Sequence, residues 1–341
     1  MSPSQGNRRL IYAATLMLVI VGSLLVYKGT AALAAIVKVQ YTGALQSRVD
    51  VVPTPGNAAA QVNVVARSIN YFLVIWPALL FGILISGAVS VLVPPRWLGH
   101  ALGSGRVRPQ LVAGLAGAPL MLCSCCAAPV FSGLYERSSR LGPSLAVMLA
   151  APSLNPAALI LTFMLFDHRI ALTRLAGAGA AVFLTGIFVD KLFPLKPINC
   201  SISDQESNGP LLTTFLRSCM QVAVRTVPLI AVGVLISMAI ALWLPVGALA
   251  STGGQTVAIV VVALIAVPLA LPTFFEIPLA LILLLADAPA GAAVAMMIAG
   301  PAVNLPSLFT ISRSTNWKVA GSVALMIFVL SVAAGLLVSL F

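Results

Sequence analysis

The sequence predicts an all-α polytopic membrane protein, an inverted internal repeat with Pro-broken, re-entrant helices plus an extra N-terminal transmembrane helix. Three observations lead there. Of 341 residues, 60% are hydrophobic and only 8% charged, whereas a soluble domain carries about a quarter charged residues. Several apolar runs reach the length of about 20 residues that crosses a bilayer. The second half also repeats the prolines, glycines and asparagines of the first at a nearly constant offset.

The first run, Leu10 to Tyr27, follows Asn7-Arg8-Arg9 and is closed by Lys28. It is longer than the apolar region of a signal peptide, about 7–15 residues, and reads as a retained first helix. Residues 29–66 are mixed and polar and read as an external loop. A span from Ile69 to Val93 ends at Pro94-Pro95, and Arg96, Arg106 and Arg108 follow. Leu111 to Tyr135 is apolar but carries a cluster of thiols. Leu141 to Phe166 is apolar again, interrupted at Ala151-Pro-Ser-Leu-Asn-Pro156, and Ile170 to Val189 is a further span. The second half reads as Phe215–Leu244, Thr256–Leu285, Ala290–Ile311 and Val319–Phe341. The division is therefore 1–66 (N-terminal helix and external loop), 67–190 (first repeat), 191–214 (polar cytoplasmic connector) and 215–341 (second repeat).

The offset is specific. Adding 151 places Pro77, Gly82, Ser86 and Pro94 on Pro228, Gly233, Ser237 and Pro245. Adding 149 places Pro119, Pro129, Gly142, Pro152 and Asn155 on Pro268, Pro278, Gly291, Pro301 and Asn304. If each Pro-flanked segment folds back as a re-entrant hairpin, each half crosses three times and the halves are inverted. Arg8, Arg9, Arg96, Arg106, Arg108, Arg137, Arg140, Lys191, Lys196, Arg313 and Lys318 then share one side. Lys28, Lys38, Arg48, Arg67, Arg169 and Arg174 lie on the other. Single crossings would move Arg137 and Arg140 across and weaken that bias, so the positive-inside rule favours inversion and a cytoplasmic N-terminus at the cell (inner) membrane. The net charge of +11 is thereby accounted for by cytoplasmic loops, and no basic face with interleaved aromatics points to nucleic acid.

The chemistry concentrates in Pro119-Leu-Met-Leu-Cys-Ser-Cys-Cys-Ala-Ala-Pro129. Three of the five cysteines, Cys123, Cys125 and Cys126, fall within four residues, which is no secreted disulfide framework. Proline at both ends opposes an unbroken helix, and broken backbone at membrane depth is tolerated where protein or water surrounds it. On unwound backbone the thiols converge or alternate sides; thiolates select soft metals, and by the same softness a trivalent metalloid. A buried cysteine is otherwise a small hydrophobe, and Cys200 and Cys219 stand alone without an assigned role. Met121, Met148, Met296 and Met297 could add soft sulfur, although methionine is ordinarily core filler. His100 and His168 sit near span ends and read as interfacial.

The repeat-related segment is Pro268-Leu-Ala-Leu-Pro-Thr-Phe-Phe-Glu-Ile-Pro278. Of the eight acids, only Glu276 lies well inside an apolar stretch. A carboxylate there is costly and marks a pathway, a proton relay or a counter-ion, so Glu276 is the candidate proton-coupling residue. Ala151-Pro-x-x-Asn155 and Gly300-Pro-x-x-Asn304 suit helix starts with Pro152 and Pro301 in the first turn. Asn155 and Asn304 then coordinate substrate or cap the broken backbone. Pro119, Pro129, Pro152, Pro268, Pro278 and Pro301 are the expected helix breakers.

Cys123-Ser-Cys-x-Ala-x-Pro129, Leu141-Gly-Pro-Ser-Leu-Ala146 and Ala151-Pro-Ser-Leu-Asn-Pro156 resemble the bacterial predicted-permease family that includes organoarsenical efflux permeases and related copper and zinc efflux permeases. Phe274-Phe-Glu-Ile-Pro-Leu279 and Ala299-Gly-Pro-Ala-Val-Asn-Leu-Pro-Ser307 resemble the same family, over about residues 67–341. The resemblance implies a permease, not an enzyme, exporting a trivalent organoarsenical, copper or zinc. Members often have Gly where this chain has Cys126. The sequence carries no Gly-x-x-x-x-Gly-Lys-[Ser/Thr] nucleotide loop and implies no cofactor beyond a substrate metal or metalloid. The expected partners are the bilayer and a small-molecule or ion substrate; a homo-oligomer is compatible. The alternatives are transport of a small sulfur-containing anion, a membrane thiol-redox or sulfur-transfer enzyme, and a scaffold subunit.

Overall fold

The computed structural model describes residues 3–42, 64–92, 107–138, 140–193, 211–242 and 254–340. Among these residues it is all-helical, with no strand. The connector at 194–210 and most of the loop at 29–66 lie outside the described residues, as do Arg96, Arg106 and Cys200. Among the described residues six helical segments are long and apolar enough to cross a membrane. A seventh is the pair Ala290–Ala302 and Leu305–Ser314, bent by 43°.

Helix α1 (Pro3–Thr42) does not stop at Lys28. The Ala-rich stretch after Thr30 favours helix, and the buried stripe Ile20, Leu24, Ala32 and Val39 runs on past the lysine. Helix α2 (Val64–Leu92) begins before Arg67, which is buried within it. Helix α3 (Val107–Gly117) leads through a 3-10 turn (Ala118–Leu120) into α4 (Ser124–Ser138). Helices α5 (Leu141–Ser153) and α6 (Pro156–Leu165) form one broken apolar segment, and α7 (His168–Leu192) follows. The second half runs α8 (Leu211–Leu242), α9 (Gln255–Ala266), α10 (Glu276–Leu285), α11 (Ala290–Ala302), α12 (Leu305–Ser314) and α13 (Trp317–Ser339).

The offset read from the sequence recurs in the helix bounds. Adding 149 to α5 (141–153) gives 290–302, the bounds of α11, and adding it to α6 (156–165) gives 305–314, the bounds of α12. It recurs in packing as well. Gln110 on α3 wedges against Gly142 of α5 and Gly186 of α7; 149 residues on, Ile259 of α9 meets Gly291 of α11 and Gly335 of α13. A Cβ at Gly291 would collide with the Gly335 carbonyl. Small residues here let the helix backbones approach, as membrane interfaces require.

Both α3 and α4 pack against α5, and both α9 and α10 lie beside α11 or follow directly into it. The break between α3 and α4 falls at Pro119, where Met121 adopts φ 51°. The corresponding break between α9 and α10 contains Pro268 and Phe274 at φ 72°. Left-handed backbone at a bulky residue costs about 1–3 kcal/mol and persists where the surroundings over-determine it. The other prolines act differently from expectation. Pro129 lies inside α4, and Pro278 sits in the first turn of α10, where the missing donor is no loss. Pro152 and Pro301 close α5 and α11 instead of opening helices, because Asn155 and Asn304 supply the caps that start α6 and α12.

Candidate functional site

The thiols converge because the chain unwinds beneath them. Cys123 precedes α4, and its carbonyl accepts from the Cys126 and Ala127 amides at 3.0 and 2.9 Å. Cys125 and Cys126 occupy the first turn of that helix. Cys123 Sγ lies 3.1 Å from Cys125 Sγ, which lies 3.9 Å from Cys126 Sγ. The three free, buried sulfurs fall within 4.8 Å of one another. Three sulfurs on one short arc can close around a single soft ion. The Tyr71 hydroxyl of α2 lies 3.5 Å from Cys125 Sγ and 3.5 Å from the Leu271 carbonyl. It ties the thiols to the second half.

Cys123 also faces a narrow cavity lined by Ser124, Pro152, Leu271, Pro272, Thr273, Glu276 and Pro301. The lining is drawn from repeat-related positions: 149 residues separate Cys123 from Pro272, Ser124 from Thr273, and Pro152 from Pro301. Cys123 and Glu276, the expected thiol and acid, therefore share one space. Cys125, Cys126, Asn155 and Asn304 lie outside its lining.

Asn155 and Asn304 are fully buried caps. Asn155 Oδ1 accepts from the Ala157 and Ala158 amides at 3.0 and 3.4 Å. Asn304 Oδ1 accepts from the Ser307 amide at 3.0 Å, and Ser307 Oγ accepts in return from the Asn304 amide at 3.0 Å. This reciprocal pair is a capping box. Among the described residues the Nδ2 group of each asparagine has no partner. Capping thus occupies the oxygen and leaves a buried donor at each break.

Glu276 opens α10 and is buried. Its Oε1 lies 2.9 Å from Arg174 Nη2 on α7, an ion pair between the two halves. Arg174 Nη1 also donates to Thr162 Oγ1 on α6 and lies 3.6 Å from Met297 Sδ on α11. Arg174, expected among the external charges, instead has a fully buried side chain, where its guanidinium is the counter-cation that the buried Glu276 carboxylate requires. Lys28 does not close the first helix, since α1 continues to Thr42. Sequence reasoning passed over Arg174 and Tyr71. The signal for Arg174 was available: a lone charge two turns into an apolar helix.

The model of the predicted permease family ArsP_1 matches residues 58–340. The chain is 30% identical over 274 residues to the UPF0718 protein YraQ of Escherichia coli, covering 80% of this chain and 79% of that one. It is 25% identical over 185 residues to the UPF0718 protein YcgR of Bacillus subtilis, covering 46% and 63%. It is 26% identical over 113 residues to the UPF0718 protein MJ0584 of Methanocaldococcus jannaschii, covering 33% and 31%. No solved structure matches. Helical spans, a broken helix pair and a match over 283 residues (58 to 340) together make this chain a multi-pass membrane protein of the predicted permease family.

Proposed function

We propose that the chain is a secondary-active permease of inverted-repeat design that exports a thiophilic metal or metalloid. The observation that carries this reading is the convergence of Cys123, Cys125 and Cys126 at a break in the helices, beside a cavity shared with Glu276 of the other half. In this reading α3–α4 and α9–α10 are re-entrant, each half crosses three times, and the odd number inverts the second half. Discontinuous helices that meet at depth are the usual site-forming device of such transporters.

The thiols take the soft centre. The Asn155 and Asn304 Nδ2 groups offer donors to its oxygen ligands or to water carried with it. Glu276 exchanges the coupling proton, and Arg174 is its counter-ion in the resting state. Protonation of Glu276 dissolves the ion pair and frees α10 from α7. Proteoliposomes containing the purified chain, offered a panel of trivalent arsenicals, Cu(I), Zn2+ and small sulfur anions under a pH gradient, test the reading. Uptake of a thiophilic species that is lost in Cys123→Ser/Cys125→Ser supports it. Transport unchanged in that variant overturns it.

A further inference from the structure

Tyr71 stands on α2 with its side chain fully buried. The face it belongs to is clamped onto the thiol-bearing helix α4. The Cys126 thiol donates to the carbonyl of Ile75, one turn beyond Tyr71, at 3.9 Å. A Cβ at Gly82 would collide with the Cys126 carbonyl, and Ser86 abuts Gly133 of α4. Positions 71, 75, 82 and 86 share one helix face, so α2 holds α4 along its length. From that face the Tyr71 hydroxyl reaches the second half: it lies 3.5 Å from Cys125 Sγ and 3.5 Å from the Leu271 carbonyl. Leu271 belongs to the unwound backbone between α9 and α10 and lines the cavity that Cys123 and Glu276 share. The repeat-related position, 151 residues on from Tyr71, is Val222, which has no such group.

A phenol carries one O–H, and a neutral thiol can donate as well as accept. With Cys125 as a thiol, both contacts can be made at once: Tyr71 donates to the Leu271 carbonyl and accepts from Cys125. A divalent soft cation displaces the Cys125 proton, which leaves to solvent, and the bound sulfur carries negative charge and can only accept. Hydrogen bonds to an ionised acceptor are the stronger ones, so the single Tyr71 proton turns to the sulfur and the Leu271 carbonyl loses its donor. We propose that Tyr71 is a positioning residue whose hydroxyl passes from the Leu271 carbonyl to the Cys125 sulfur when a divalent soft cation binds, so that loading the thiols releases the break between α9 and α10. The proposal rests on the permease reading of the thiol site.

The test uses the purified full chain and Cd2+ alone. In the wild type, amide hydrogen exchange over residues 267–275 should speed up several-fold on Cd2+ binding. This arm needs no variant. In Tyr71→Phe, which keeps the ring and removes only the hydroxyl, the same segment should exchange fast with or without Cd2+. The variant should bind Cd2+ about tenfold more weakly, as loss of a hydrogen bond to a charged group predicts. Its sulfur-to-cadmium charge-transfer band should move to longer wavelength, because no hydroxyl draws down the sulfur lone pairs. A band that does not move, with binding weakened or not, would make Tyr71 a packing residue. Wild-type exchange that ignores Cd2+ would remove the coupling. Either result overturns the proposal while the thiol site stands. Cd2+ bound by Cys123→Ser/Cys125→Ser as by the wild type would instead overturn the thiol site.

Discussion

Arg174 and Glu276 lie 2.9 Å apart, both buried, and come from opposite halves of the chain. No counterpart exists at the repeat-related positions, where Arg174 corresponds to Val323 and Glu276 to Ala127. The pair is thus an asymmetric addition to a symmetric frame. Removing one member of a buried pair strands the other charge and costs about 3–5 kcal/mol. Arg174→Met should therefore destabilise the protein strongly, and Arg174→Met/Glu276→Leu should recover most of the loss. Thermal unfolding of the two variants in one detergent checks this, and a double variant no more stable than the single would count against a closed pair.

Glu276→Gln keeps an acceptor oxygen for Arg174 but cannot exchange a proton. Substrate exchange should persist in this variant, while accumulation driven by a pH gradient should be lost. Proteoliposome flux with and without the gradient separates the two. Gradient-driven accumulation that survives in the Gln variant would remove Glu276 from coupling and leave it a structural partner of Arg174.

Much of this was legible before any coordinates. The spans follow from apolar runs, and the offset of 149 was visible in Pro119, Gly142 and Asn155 because such residues are not interchangeable with Leu or Ala. The thiols and Glu276 stood out as chemistry inside apolar sequence. Arg174 and Lys28 did not, because a basic residue near the end of an apolar run is read as a loop marker. Only packing shows that Lys28 completes a buried stripe and that Arg174 answers Glu276. Tyr71 carried no signal at all: an aromatic in a membrane helix is ordinary until its hydroxyl is seen beside a sulfur.

The close approach of α11 and α13 gives a direct test of the packing. Gly291→Ala would drive a methyl into the Gly335 carbonyl, where backbone must move. Overpacking of this kind costs about 1–3 kcal/mol. Gly179→Ala on α7 has open space around the added Cβ, and Ala in a helix interior is favoured over Gly by roughly 0.5–1 kcal/mol. The melting temperature should fall for the first and hold or rise for the second.

The halves also differ in how they meet. Ser132 Oγ on α4 and Ser314 Oγ on α12 hydrogen-bond at 2.9 Å, and these helices pack on each other and on α2 and α8. The repeat-related helices are α10 and α6, with Leu281 and Leu165 at the corresponding positions. Among the described residues α10 and α6 meet only lightly. If the halves exchange conformations during transport, closure moves from the α4–α12 contact to the α6–α10 contact. Ser132→Cys/Ser314→Cys should then cross-link readily in substrate-free protein and arrest transport. Leu165→Cys/Leu281→Cys should cross-link slowly at rest and several-fold faster during turnover. Gel mobility after specific proteolysis between the paired positions reads both. Cross-linking at Leu165 and Leu281 that ignores substrate, with the Ser132–Ser314 link leaving flux intact, would show that this contact is scaffold and not a gate.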